Sequence, residues 1–127
     1  MEMISQKAEK VINNLKRDGK SGNISLTTSQ IRKFLSMVNV LRNKVEMLPK
    51  AKMNAPLPKE ILYDLDYIKV KLIYQSGRES VVNDFVKKSK LIDIIDKIQQ
   101  TKAKTQLMDF FNYVEALVAY HKYEGGK

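Results

Sequence analysis

The stretch LTTSQIRKFLSMVNVLRNKVEML, residues 26–48, decides the fold. Thr27 and Gln30 have the spacing of a capping box, in which each side chain satisfies a backbone N–H of the first helical turn. Leu26 stands before them at the position of a hydrophobic staple. The apolar residues that follow recur at helical spacing, namely Ile31, Phe34, Leu35, Val38, Leu41, Val45 and Leu48. The stretch therefore predicts a helix over 28–48 that ends before Pro49.

The same apolar spacing continues in both directions along the chain, and the sustained alternation typical of strands is absent. It predicts further helices over about 4–17, 58–75, 79–100 and 103–123. The fourth of these is either one helix or two, with the break near 88–90. The connection from 49 to 58 holds three prolines and is expected to be exposed. We predict an all-α fold, a single compact bundle of about five helices over residues 1–127.

The positive charge of the chain is concentrated in one third of its length. Residues 16–59 hold ten basic residues and two acidic ones, so this third carries +8 of the net charge of +9. A localised excess of this kind can form a patch, and on a small protein such a patch most often faces phosphate. Two alternatives remain open: a solvated basic face that binds nothing in particular, and a surface that lies on acidic lipid.

Residues suited to catalysis or metal binding are sparse. The chain has no cysteine, which excludes a thiolate metal site, and its one histidine, His121, falls on the apolar stripe of the last helix as a core or interface residue. Asp64 and Asp66 are two residues apart on a helix and point away from each other. Asp93 and Asp96 share a face, but neighbouring lysines can neutralise them. We expect no enzyme activity, no cofactor and no metal.

The length and composition indicate a soluble, cytoplasmic protein. The 43% hydrophobic content is too high for a disordered chain, so a packed core is expected. No apolar run approaches the roughly 18 residues of a membrane span, and the first six residues lack the apolar segment of a secretion signal. We expect no membrane partner.

Several helices carry a second apolar stripe in addition to their core face. We assign contacts with other subunits to Met37, Val40, Met47, Tyr113, Tyr120 and Tyr123. A further stripe of Tyr63, Tyr67 and Tyr74 has two open interpretations. These rings either stack on splayed bases, as in single-strand binders, or belong to the bundle core with solvated hydroxyls.

Three blocks resemble a known family: LTTSQIRKFLSMVNVL at 26–41, LDYIKVKLIYQSGR at 65–78 and FFNYVEALVAYHKYEGGK at 110–127. Together they are similar to the small helical subunit of type III-A CRISPR interference complexes, the Csm effector. The resemblance implies a non-catalytic helical bundle that acts in antiviral defence. It implies several copies stacked beside the backbone filament and the large subunit. It also implies basic side chains that hold the backbone of the guide RNA and single-stranded target RNA.

Candidate RNA-binding residues follow from the basic third and from the matched blocks. Arg32 and Arg78 lie within matched blocks, and the charge excess adds others, so that the full set is Arg32, Lys33, Arg42, Lys50, Lys52, Lys59 and Arg78. Arg78 has a structural alternative, in which it pairs with the last carbonyls of its helix or with Glu79. The alternative function is a helical adaptor or DNA-associated regulator that dimerises through its apolar stripes.

Overall fold

The computed structural model describes residues 3–49 and 55–125. Six helices make up the fold of these residues, and the only extended pairing among them is one isolated bridge between Arg17 and Ile24. The helices are α1 (Ile4–Asn13), α2 (Thr28–Glu46), α3 (Lys59–Arg78), α4 (Ser80–Ser89), α5 (Leu91–Thr101) and α6 (Lys104–Tyr123). The predicted all-α class is confirmed, with six helices in place of about five.

The segment over 79–100, predicted as one helix or as two with a break near 88–90, is two helices. Lys90 adopts a left-handed backbone conformation, with φ 59° and ψ 30°, which ends α4 and starts α5. A lysine gives no sequence signal for this break, because glycine or asparagine normally occupies such a position. The preceding junction is tighter than predicted, since α3 continues through Gly77 to Arg78 and only Glu79 separates it from α4.

The first helix ends earlier than predicted, at Asn13 instead of about residue 17. The chain beyond it turns back on itself, because the Asp18 N–H donates to the Asn23 carbonyl and the Ser25 N–H to the Lys16 carbonyl. Gly22 has a φ of +74°, which a residue with a side chain seldom adopts. These loop bonds replace the helical ones that the apolar spacing had suggested.

The core lies around α6, which packs against α1 and α2, while α3 packs against α2, α4 and α5. Phe110, Phe111, Leu107 and Leu117 of α6 are almost completely buried. Across the two described stretches, none of the helices is both long and apolar enough to cross a membrane.

Candidate nucleic-acid interface

The capping box at the start of α2 forms as predicted and fixes the helix that carries three of the seven candidate cations. The Gln30 N–H donates to the Thr27 hydroxyl at 3.1 Å, and the Thr27 N–H donates to the Gln30 side-chain oxygen at 2.8 Å. Five buried residues then run along α2 and set its rotation, namely Ile31, Phe34, Val38, Leu41 and Val45. The rotation leaves Arg32 and Lys33 exposed.

Two side-chain contacts show that α2 and α3 run antiparallel. Near the start of α2, the Gln30 side chain donates to Glu79, which follows the last residue of α3. Near the end of α2, the Lys44 ammonium lies 2.8 Å from Asp64, in the second turn of α3. The end of α3 therefore lies beside the start of α2, and Arg78 is at the same end of this helix pair as Arg32 and Lys33.

Arg42 is occupied by contacts within the subunit. Its guanidinium lies 3.1 Å from Glu115 of α6 and 3.5 Å from Glu46, and it is 5.8 Å from the centre of the Phe111 ring. Two carboxylates thus neutralise it, and its contacts join α2 to α6. The Glu115 contact spans 73 residues of sequence, so the charge count along the chain could not reveal it.

Lys44, which belongs to the same basic third, is also neutralised. Its ammonium contacts Asp64 at 2.8 Å and Glu60 at 3.7 Å. The hydrogen bond to Asp64 raises the pKa of Lys44 and so favours its charged form. Arg42 and Lys44 are therefore both bound to carboxylates, on two different neighbouring helices.

Three other cations, Arg32, Lys33 and Arg78, lie together at one end of the α2–α3 pair. Within residues 3–49 and 55–125 none of the three has an acidic partner, and the Arg78 guanidinium lies 5.6 Å from the centre of the Tyr74 ring. Glu79 is bound by Gln30, which argues against the predicted Arg78–Glu79 alternative. We call these three residues the cation end.

Lys59 lies at the opposite end of the pair. It is the first residue of α3, exposed, and about 28 Å along the helix axis from Arg78 at 1.5 Å per residue. Lys50 and Lys52 lie outside the described residues. The structure therefore does not bring the seven candidate residues to one place.

The residues assigned to subunit contacts differ in exposure. Val40, Met47 and Tyr123 are exposed, at 70%, 85% and 81%. Met37 and Tyr120 are half-buried and pack against the core. Tyr113 is only 3% exposed, so its assignment to a subunit contact is wrong for the folded chain.

The burial of Tyr113 has a polar reason that its spacing does not reveal. Its hydroxyl donates to the carbonyl of Ser89 at 2.9 Å, at the end of α4. A helix leaves its last carbonyls without partners inside the helix, and a buried one needs a donor from elsewhere. Tyr113 therefore caps α4 within the core.

The tyrosine stripe of α3 lies on the surface, so its interpretation as bundle core is wrong. Tyr63, Tyr67 and Tyr74 are each more than half exposed, and Val70 lies between them. The Lys71 ammonium is 5.3 Å from the centre of the Tyr67 ring, as Arg78 is close to Tyr74.

His121 is a core residue, as predicted. It is 1% exposed, and its Nε2–H donates to the Leu26 carbonyl at 2.7 Å. Among the residues with described positions, no group of three histidine, aspartate or glutamate side chains is arranged to hold a metal ion.

Comparison with known proteins gives the family. The family model described as "Csm2 Type III-A" matches residues 4–127. The chain belongs to the Csm2 type III-A family. Relatives include the "CRISPR system Cms protein Csm2" of Streptococcus thermophilus, 40% identical over 121 residues that cover 95% of this chain and 90% of the relative.

Two further relatives carry the same name as the streptococcal protein. That of Mycobacterium tuberculosis (strain CDC 1551 / Oshkosh) is 35% identical over 82% of this chain and 79% of its own length. That of Enterococcus italicus is 35% identical over 77% of this chain and 67% of its own length. As a Csm2 family member, the chain is a small subunit of a type III-A CRISPR complex.

Proposed function

We propose that this Csm2 family member is a non-catalytic subunit that holds RNA in its complex through backbone phosphates. The observation that carries the proposal is that some cations of α2 and α3 have acidic partners and others do not. The cation end presents three charges without acidic partners among the described residues, whereas Arg42 and Lys44, which belong to the basic third of the sequence, are neutralised by carboxylates. Cations without partners gain most from a phosphate, because no ion pair has to break first.

The chemistry of the cation end suits a nucleic-acid backbone better than a base edge. Arginine offers a planar fork that can bind a phosphate with two hydrogen bonds, and lysine acts as a point charge. Such contacts position a strand without reading its sequence. We therefore expect this subunit to hold guide and target RNA of any sequence, which suits a complex whose specificity resides in base pairing.

We also propose that copies of the subunit stack on one another and on the backbone and large subunits of the complex. The support is the apolar surface of α2, where the side chains of Val40 and Met47 are exposed and no described part of the chain buries them. Exposed apolar side chains beyond those a monomer needs are typical of protein contacts. The exposed stripe of α3 is a second apolar surface that such contacts can use.

A pair of matched double variants tests RNA binding. Arg32→Gln/Lys33→Gln removes two charges without described acidic partners, and Arg42→Gln/Lys44→Gln removes two neutralised charges from the same helix. We expect the first to weaken binding of single-stranded RNA by roughly 5- to 25-fold, at up to about 1 kcal/mol per contact. Its slope of log affinity against log salt should fall by about 1.4, at about 0.7 per phosphate contact.

The control double variant should bind RNA nearly as the wild type does, while its melting temperature falls because the α2–α6 and α2–α3 contacts are lost. Equal loss of RNA affinity in both variants would contradict the role of the cation end. Duplex DNA that competes as well as single-stranded RNA at fixed salt would favour the DNA-associated regulator instead.

A further inference from the structure

Four lysines from distant parts of the sequence surround an open cavity of about 590 Å³. Lys7 and Lys10 come from α1, and Lys88 and Lys90 come from the junction of α4 and α5. The remaining lining residues are Val11, Asn14 and Ser89. We call this site the lysine cavity. None of its lysines belongs to the basic third of the sequence.

Four of the seven residues that line the lysine cavity are basic. Its lining contains no acidic residue, although the Lys88 ammonium lies 2.9 Å from the Asp84 carboxylate outside the lining. Lys88 also donates to the Asn14 carbonyl at 2.5 Å, which holds its side chain across the cavity wall. Lysines gathered in this way repel one another, and an anion bound among them relieves the repulsion.

Lys90 stands in a conformation that does not suit a lysine. Its left-handed backbone brings the Cβ close to the following carbonyl, a cost that glycine does not bear. Glycine is the usual residue where one helix ends in this way. Lys102 has the same backbone conformation away from the cavity, so the conformation alone does not mark a site; at Lys90, however, the side chain lines the cavity.

We propose that the lysine cavity binds phosphodiester groups of single-stranded RNA, as a second contact in addition to the cation end. This inference rests on the proposed RNA-binding function. Lysine suits the role because its ammonium is a point charge that accepts a phosphate from many directions. The cavity is open to solvent and has the volume of a small-ligand site, so a continuous strand can place a phosphate in it.

The chain offers a matched control for the test. Lys102 is the other non-glycine residue among those described that has a left-handed backbone, with φ 54° and ψ 26°, and it does not line the cavity. Lys90→Gly and Lys102→Gly therefore remove the same charge and place glycine in the same conformation. Both variants should fold with a melting temperature equal to or above that of the wild type.

The measurement is binding of a 20-nucleotide single-stranded RNA to the full chain at several salt concentrations. We expect Lys90→Gly to lower the affinity about fivefold and the salt slope by about 0.7, and Lys102→Gly to change neither. Equal losses in both variants would show an effect of net charge alone and overturn the proposal. A competition experiment gives a second check. If polyglutamate of equal length displaces labelled RNA as effectively as unlabelled RNA does, the proposal is also overturned.

The same experiment separates this inference from the proposed function. If Lys90→Gly binds as the wild type does while Arg32→Gln/Lys33→Gln binds more weakly, the cavity is not an RNA site and the proposed function stands. If the wild-type chain does not bind RNA at any salt concentration, both fail.

Discussion

Replacing Tyr113 with phenylalanine tests whether this residue belongs to the core or to a subunit contact. The substitution removes one hydroxyl and keeps the ring, so the packing around it is preserved. In the structure this hydroxyl donates to the Ser89 carbonyl at 2.9 Å, and both residues are buried. Tyr113→Phe therefore leaves a buried carbonyl without this donor, whereas a surface tyrosine would lose only a contact with water.

The expected cost follows from the burial of that carbonyl. Leaving a buried hydrogen-bonding group unsatisfied costs about 1–3 kcal/mol of unfolding free energy. The entropy of unfolding near 60 °C is about 2.1 cal/mol/K per residue, or about 0.27 kcal/mol/K for 127 residues. The melting temperature should therefore fall by about 4–11 °C.

Thermal and urea unfolding followed by circular dichroism measure this cost. Tyr63→Phe is the matched control, because Tyr63 is 71% exposed and its variant should change the unfolding free energy by less than about 0.5 kcal/mol. If Tyr113→Phe unfolds as the wild type does but no longer assembles with the other subunits, the reasoning from burial is refuted and Tyr113 belongs to an interface.

Two further predictions concern contacts that tie helix ends and loops to the bundle. Thr27→Ala removes the hydroxyl that accepts the Gln30 N–H and should cost about 1 kcal/mol of unfolding free energy, measured in urea, whereas Thr27→Ser should retain most of it. The Asp84 carboxylate accepts bonds from the Lys88 ammonium and the Lys16 N–H, both at 2.9 Å. Burial alone would raise the pKa of Asp84, but these two bonds outweigh it and hold the pKa below its ordinary 3.8. A lowered carboxyl pKa stabilises the fold above the unfolded-state value, and this stabilisation is lost as the pH falls through the folded-state value. Asp84→Ala should therefore melt at a lower temperature than the wild type at pH 7, and the gap should close below about pH 3.8; a gap that stays constant to pH 2 would contradict the assignment.

The helical architecture could be predicted because its signals are local. The capping box at Thr27 and Gln30 and the apolar stripe of α2 depend on residues within a few turns of one another. The end of α1 could not be predicted in this way, and the local spacing allowed a break near 88–90 without deciding between one helix and two. The end of α1 depends on bonds across a loop, and the break places a lysine where the local preference is for glycine.

The candidate site was less predictable than the fold, because charge along a sequence does not record which charges meet. Arg42 and Lys44 counted toward the basic third, but Glu115, Glu60 and Asp64 neutralise them after folding. The second stripe on α6 likewise suggested a surface for Tyr113. The Ser89 carbonyl at the end of α4 needs a hydrogen-bond donor, and this requirement arises only when the two helices come together and that carbonyl is buried.

The sequence by itself determined the helices, the absence of thiolate chemistry, the positive charge and the family, since each depends on residue identity and short-range spacing. The tertiary structure decided which cations keep their charge available. Folding brought carboxylates to Arg42 and Lys44 and left Arg32, Lys33 and Arg78 at one end of a helix pair. It also gathered around one cavity four lysines whose sequence positions range from 7 to 90. Coulomb interactions depend on distance in space, and only the packed helices set those distances.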